Sequence, residues 1–332
     1  MLPRVSRTFA LSIEALPERL REPVRVSYLL CRIVDTIEDQ PGLSPELRRR
    51  CFDAFDETLL DGTLPADVLE ALAPALDADP AEQTLCARSG AVFRCLRAQP
   101  AEVVSRVVPH VHDMSLGMRM YAMRAEEGRR PGIRDIEDLA RYCYYVAGTV
   151  GELLTELFEL HAPLPEAATR ERLRGLAWHF GVGLQLVNIV KDVAEDHARG
   201  VVYLPEAVLE RHGLSRERLL DPSCRASGVA AIRDVCAHAR QRLESARLYA
   251  RLWPLPEGEA MRLFCAVPLL LALATLDEVE KGEDTLRPGV SPRVSRSLVT
   301  DTLTRALAAI HDDGAYGRLL EAPPLSAASG VL

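Results

Sequence analysis

The sequence predicts an all-α fold in a single domain, and three observations carry that prediction. Ala, Leu, Arg and Glu recur at three- and four-residue spacing along nearly all of the 332 residues. The alternating β-branched runs and Asn-Gly turns that mark strands and hairpins are missing. Prolines punctuate the helical stretches, and neither an internal repeat nor a Gly/Ser-rich linker divides them. The domain is expected over 1–315, with a small-residue tail, 316–332, expected to be disordered.

Taken in order, Pro17 and Pro23 are expected to bracket a short turn before a first helix that Pro41-Gly42 ends. Further helices are expected after Pro45, Pro65, Pro80 and Pro100. The last of these keeps Val104, Val108, Val111, Met114, Met118 and Tyr121 on one face, with Pro109 as a kink. Gly128 to Gly132 reads as a loop. One long helix should run from about 135 through 158 and another from 166 through 196, before Gly200 to Pro205 breaks the chain. Late helices are expected across 229–252, 258–281 and 292–312. Gly148, Gly151, Gly181 and Gly183 sit inside predicted helices, where each costs up to about 1 kcal/mol relative to alanine. Close helix packing or room for an apolar ligand would each explain them. The nearness of the second pair to Gln185 and Asn188 favours the ligand.

The chain carries the pattern D-x-x-E-D at Asp35-Thr36-Ile37-Glu38-Asp39 and again at Asp192-Val193-Ala194-Glu195-Asp196. On a helix, Glu38 and Asp39 share a face with Asp35, and Asn188 and Gln185 extend the second stripe by a turn. Like charges at this spacing destabilise a bare helix by about 0.2–0.5 kcal/mol per pair. The flanks, Tyr28-Leu29-Leu30-Cys31 and Leu184, Leu186, Val187, Ile189 and Val190, are apolar. Two solvated acidic faces are the competing reading, but such flanks aim the acids inward, where unpaired carboxylates are too costly to persist. A shared cation is therefore expected. Oxygen donors with one amide select a hard ion, Mg²⁺ or Mn²⁺.

Composition excludes other classes. At 48% hydrophobic residues the chain can bury a large core. A net charge of −8, without a basic stripe interleaved with aromatics, argues against a nucleic-acid partner. Cysteines 31, 51, 86, 95, 143, 224, 236 and 265 form no C-x-x-C pair, so neither a zinc site nor a disulfide framework is implied. They read as reduced thiols of a cytoplasmic protein. No signal peptide is read. The longest apolar run, 263–276, contains Pro268 and is too short to cross a bilayer. A membrane-derived substrate, and peripheral membrane contact for product release, stay compatible with this. Oligomeric state is left open.

Ser6-Arg7-Thr8-Phe9, Tyr28-x-x-x-Arg32 leading into Asp35–Asp39, Tyr142-Cys143-Tyr144-Tyr145-Val146-Ala147-Gly148, and Gln185-x-x-Asn188-x-x-Lys191-Asp192-x-x-Glu195-Asp196 occur in that order. This ordered set, from Ser6 to about Arg293, resembles the squalene/phytoene synthase family of head-to-head prenyl transferases. Asp113-Met114, Gly117-Met118 and the run from Phe264 to Leu276 are most similar to its squalene synthases. The resemblance implies a class I isoprenoid synthase-like helical bundle around a deep central cavity, with the acidic motifs facing each other across its mouth. It implies prenyl diphosphate substrates, two farnesyl or geranylgeranyl diphosphates, with Mg²⁺ (or Mn²⁺) and NADPH as cofactors. Asp35, Glu38, Asp39, Asn188, Asp192, Glu195 and Asp196 are implied for the metal shell, and Tyr142 for the reacting carbons. Ser6, Arg7, Phe9, Tyr28, Arg32, Gln185 and Lys191 are implied for substrate, and Arg7, Arg32 and Arg293 for NADPH.

The expected reaction runs through presqualene diphosphate to squalene. Dehydrosqualene or phytoene formation without hydride transfer, or a stop at presqualene diphosphate, are the alternatives. A non-catalytic helical interaction protein is disfavoured, because both acidic motifs are intact. Several positions depart from the family pattern. Lys191 replaces a common arginine and loses its two-pronged fork. Ser291-Pro292-Arg293 replaces Lys-x-Arg, removing one charge implied for NADPH. Few residues precede Ser6, so the N-terminal helix usual in this family is expected to be short or missing, and Arg199 to Pro205 resembles the phytoene synthases.

Overall fold

The computed structural model describes residues 12–40, 43–61, 70, 73, 79–125, 132–164, 166–282 and 285–322. Among them there are helices and no strand, as the periodicity predicts. In chain order they are α1 (Glu18–Asp39), α2 (Pro45–Asp61), α3 (Pro80–Cys86), α4 (Ser89–Arg97), α5 (Ala101–Ala125) and α6 (Ile136–Cys143). A π-helical turn (Tyr144–Gly148) joins α6 to α7 (Thr149–His161). Then come α8 (Ala167–Lys191), α9 (Val193–Ala198), α10 (Glu206–Arg211), α11 (Arg225–Arg251), α12 (Glu259–Lys281), α13 (Arg296–Ala309) and α14 (Asp313–Glu321).

The interior is built around α8, which packs on α11, α7, α12 and the π turn. Helix α1 closes the other side against α5, α4 and α7. Large side chains fill the space between: Trp253, Tyr121, Phe52, Phe55 and Phe158 are all fully buried. Two glycines set the tightest approach. A Cβ on Gly181 would lie 1.9 Å from the Ala147 carbonyl oxygen, and one on Gly151 would lie 2.4 Å from that of Ala177. Backbone contact between α8 and the π-turn/α7 segment is therefore what these glycines permit, and both also line the cavity described below.

Several expectations need correction. Pro23 lies inside α1, and Ser27 donates to its carbonyl at 2.8 Å. Ring closure forbids a hydrogen bond from the Pro23 nitrogen but does not end a helix near its first turns. The 166–196 helix stops at Lys191: Asp192 has φ −100° and ψ 13°, and a short helix restarts at Val193. The 135–158 helix contains the π turn, a distortion that pattern reading does not detect. The tail expected from 316 begins in a packed helix, α14, which buries Tyr316, Leu319 and Leu320. The apolar run 263–276 sits in the longer α12, which by length and composition could cross a membrane. Yet 72% of its most apolar stretch is buried inside the protein, as in a core helix. The cysteines are free, and all are buried except half-buried Cys31 and exposed Cys95. The expected helix after Pro65 and the Pro41-Gly42 stop lie outside the described residues.

Candidate active site

A cavity of about 410 Å³ opens between α1, α5, α7, α8 and α12. Its inner wall is apolar, formed by Met114, Leu153, Leu154, Phe158, Phe180 and Phe264. Tyr28, Arg32, Asp35, Gln185 and Asn188 line it as well, so polar groups and apolar walls share one space. This follows from the stripes: one face of α1 carries Tyr28, Arg32 and Asp35, and one face of α8 carries Gly181, Gln185 and Asn188.

The first acidic cluster is the last turn of α1. Asp35 and Glu38 are half-buried and Asp39 is exposed, so the acids face a concave mouth rather than a packed interior. Protein on most sides still removes much of the water that would stabilise their charge. That desolvation, added to repulsion from Asp39 and opposed by Arg32, pushes the Asp35 carboxyl up to about 7. Burial and its acidic neighbours raise Glu38 well above the carboxylate range. Burial also raises Asp39, against the pull of Arg199 and Arg32. Arg32 pairs with Asp35 at 2.5 Å and with Glu82 of α3.

The second cluster straddles the break between α8 and α9. Asp192 accepts from Lys191 Nζ at 2.5 Å and from Ser291 Oγ at 2.9 Å. Asp196 is buried, which raises its carboxyl, and it pairs with Arg199. Glu195 pairs with the exposed Arg293, 3.3 Å away. Arg199 also acts electrostatically on Asp39 and Asp35, and Asp196 on Asp39, so the two clusters confront each other with this arginine as their common counter-charge.

Tyr142, 2% exposed, lies beside Glu38 and acts on its carboxyl. Its hydroxyl oxygen is 3.3 Å from that of Tyr203, and the two rings stack with centroids 5.2 Å apart. Tyr121 meets the other side of Tyr142 edge-on at 5.0 Å. Burial, followed by the Glu38 charge, raises the Tyr142 phenol well above its ordinary value, so it is held neutral.

Asp35, Glu38, Asp39, Asp192 and Asp196 are thus brought to one mouth, with Asn188 and Gln185 beside them and Glu195 paired with Arg293. Among the described residues, no three His, Cys, Asp or Glu side chains converge closely enough to cage an ion. Such a donor set suits Mg²⁺, which usually takes one or two carboxylates and completes its shell with water and substrate phosphate. It does not suit a resident ion in a protein-only cage. Ser6, Arg7 and Phe9 lie outside the described residues. Arg32 pairs with two carboxylates, and the exposed Arg293 pairs with Glu195. Arg199, Tyr203 and Glu82 were not assigned from sequence. Arg199 was readable as the i+3 partner of Asp196. Tyr203 and Glu82 come from distant segments with no local signal.

A profile of the squalene/phytoene synthase family matches residues 2–300. The squalene synthase of Eremothecium gossypii is 30% identical over 293 residues, covering 88% of this chain and 64% of that protein. Squalene synthase ERG9 of Candida albicans is 28% identical over 302 residues, 88% of this chain and 63% of its own length. The chain thus spans less than two thirds of these relatives. Among solved structures, a TcSQS complex with the ligand BPH1237 superposes with a TM-score of 0.80 at 24% identity, covering 96% of this chain and 87% of that one. A ligand-bound dehydrosqualene synthase gives 0.65 at 22% identity, covering 91% of each chain. These two likenesses establish the fold.

Proposed function

Because the chain belongs to the squalene/phytoene synthase family, we propose that it joins two farnesyl diphosphates head to head, through presqualene diphosphate, to squalene. The observation that carries this reading is a single cavity with an apolar interior and a mouth where two acidic clusters face each other. Mg²⁺ (or Mn²⁺), when bound between Asp35, Asp39, Asn188, Asp192 and Asp196, would neutralise the departing diphosphate. Arg199, Arg32 and Lys191 supply positive charge at the same mouth. The walls formed by Phe158, Phe180 and Phe264 exclude the water that would quench an allylic cation. The Tyr142 oxygen can accept the proton leaving the reacting carbon as its own phenolic proton passes to an ionised Glu38 beside it.

The name shared by the curated relatives supports squalene as product. The hydride this outcome requires would come from NADPH, for which the family resemblance implies Arg7, Arg32 and Arg293. A dehydrosqualene-type outcome is the second reading, favoured by the engaged state of Arg32 and Arg293 and by Ser291, which is bonded to Asp192. Incubation with farnesyl diphosphate and Mg²⁺, with and without NADPH, separates the two. Presqualene diphosphate or dehydrosqualene is expected without the reductant, and squalene with it. An identical squalene-free profile in both arms replaces squalene by the second reading, and no substrate consumption in either arm defeats both.

A further inference from the structure

The first acidic cluster poses a structural problem that its own helix does not solve. Asp35, Glu38 and Asp39 stand at the C-terminal end of α1, where backbone carbonyls lack intrahelical partners and the helix dipole already presents negative charge. Added carboxylates there promote fraying. No basic residue lies in the last turn of α1, and its C-cap, Gln40, is extended (φ −74°, ψ 107°) rather than a left-handed glycine cap.

The missing donor comes from the next helix. Arg48 of α2 is 3% exposed. Its Nη1 donates to the carbonyls of Ile37 at 3.2 Å and Glu38 at 2.5 Å, and its Nη2 donates to that of Gln40. One planar guanidinium thus grips three carbonyls at the end of α1 and places fixed positive charge under the carboxylates. We propose that Arg48 is a positioning residue for the first acidic cluster: it caps the turn that presents Asp35, Glu38 and Asp39 and so fixes their geometry toward a divalent cation and diphosphate. The cation part rests on the function proposed above; the capping part does not.

Charge and geometry make opposite predictions here. Removing a positive charge near Glu38 should tighten cation binding by Coulomb attraction alone. Loss of a supporting hydrogen-bond partner should weaken it, typically by about 10-fold or more. The test compares the full chain with Arg48→Met, which removes the charge, and Arg48→Lys, which keeps it but cannot span three carbonyls. Backbone hydrogen exchange is read in the metal-free protein, and Mn²⁺ affinity is read by electron paramagnetic resonance with farnesyl thiodiphosphate present. In Arg48→Met, amides 36–40 should exchange roughly 10- to 100-fold faster while α8 keeps its protection, and Mn²⁺ should bind more weakly despite the lost positive charge. Arg48→Lys should move both readouts in the same directions by a smaller factor, and it decides the matter if the methionine variant does not fold. Unchanged exchange, or Mn²⁺ affinity equal to or tighter than that of the parent, overturns the inference. Failure of the parent chain itself to bind Mn²⁺ defeats the metal reading, and the exchange result alone then decides whether Arg48 holds the turn.

Discussion

At the scale of single residues, the site is a balance of like charges held at one mouth. Asp39 is exposed, and repulsion from Asp35, Glu38 and Asp196 opposes the pull of Arg199 and Arg32, so its charge contributes little to packing. Asp39→Asn is expected to lower turnover by orders of magnitude while leaving the melting temperature unchanged or slightly raised. Parallel kinetics and thermal melts check this, and near-native turnover at saturating Mg²⁺ would remove Asp39 from the site. For Tyr142, the hydroxyl is predicted to matter more than the ring, because it donates to Tyr203 and lies beside Glu38. Tyr142→Phe should slow formation of the first condensation product by roughly 10²–10⁴-fold, and an unchanged single-turnover rate would return the residue to packing. Much of this was legible in the sequence. Acid spacing within one helical turn names Asp35, Glu38 and Asp39, and the order of motifs names Tyr142. The partners were not, because Glu82 reaches Arg32 across 50 positions and Tyr203 reaches Tyr142 across 61, separations that only the folded chain closes.

At the scale of elements, the site depends on how closely α8 approaches the π turn. Gly181→Ala puts a methyl group 1.9 Å from a backbone oxygen, where no side-chain rotation can relieve it. A loss of about 1–3 kcal/mol is expected. Gly175, on the same helix, has nothing within 4 Å of an added Cβ, so Gly175→Ala should stabilise by about 1 kcal/mol through helix propensity alone. Urea unfolding of the pair measures packing against propensity within one helix. If both variants gained stability, the close approach would not govern α8. Periodicity named most helices correctly because apolar spacing survives burial. It missed the break at Asp192 and the π turn, since both keep the polar and apolar pattern while altering only the backbone.

At the scale of the whole molecule, the last helices are tied to the cavity wall through a buried arginine. Arg262 of α12 donates to the Trp253 carbonyl at 2.9 Å and to that of Ile310 at 3.4 Å, and it pairs with Asp313. Tyr316 lies under its guanidinium at 5.1 Å and returns a hydrogen bond to its carbonyl at 3.0 Å. Phe264 and Cys265, just beyond it on α12, line the cavity. Arg262→Ala should therefore cost about 2–4 kcal/mol and lower turnover as well, because the cavity wall loses its anchor. Chemical denaturation with a parallel activity assay tests both; lost stability with intact activity would separate the tail from the site. The small-residue composition after Arg318 concealed this docking, which rests on only a few large side chains.

The break between Lys191 and Val193 also gives the mouth unequal jaws. One set of acids ends a long rod clamped by its neighbour; the other hangs on a joint between two rods, tethered by Lys191, Ser291 and Arg199. If the mouth closes on a diphosphate, residues 192–199 are expected to shift more than α1, and hydrogen exchange with and without farnesyl thiodiphosphate and Mn²⁺ would show which side moves.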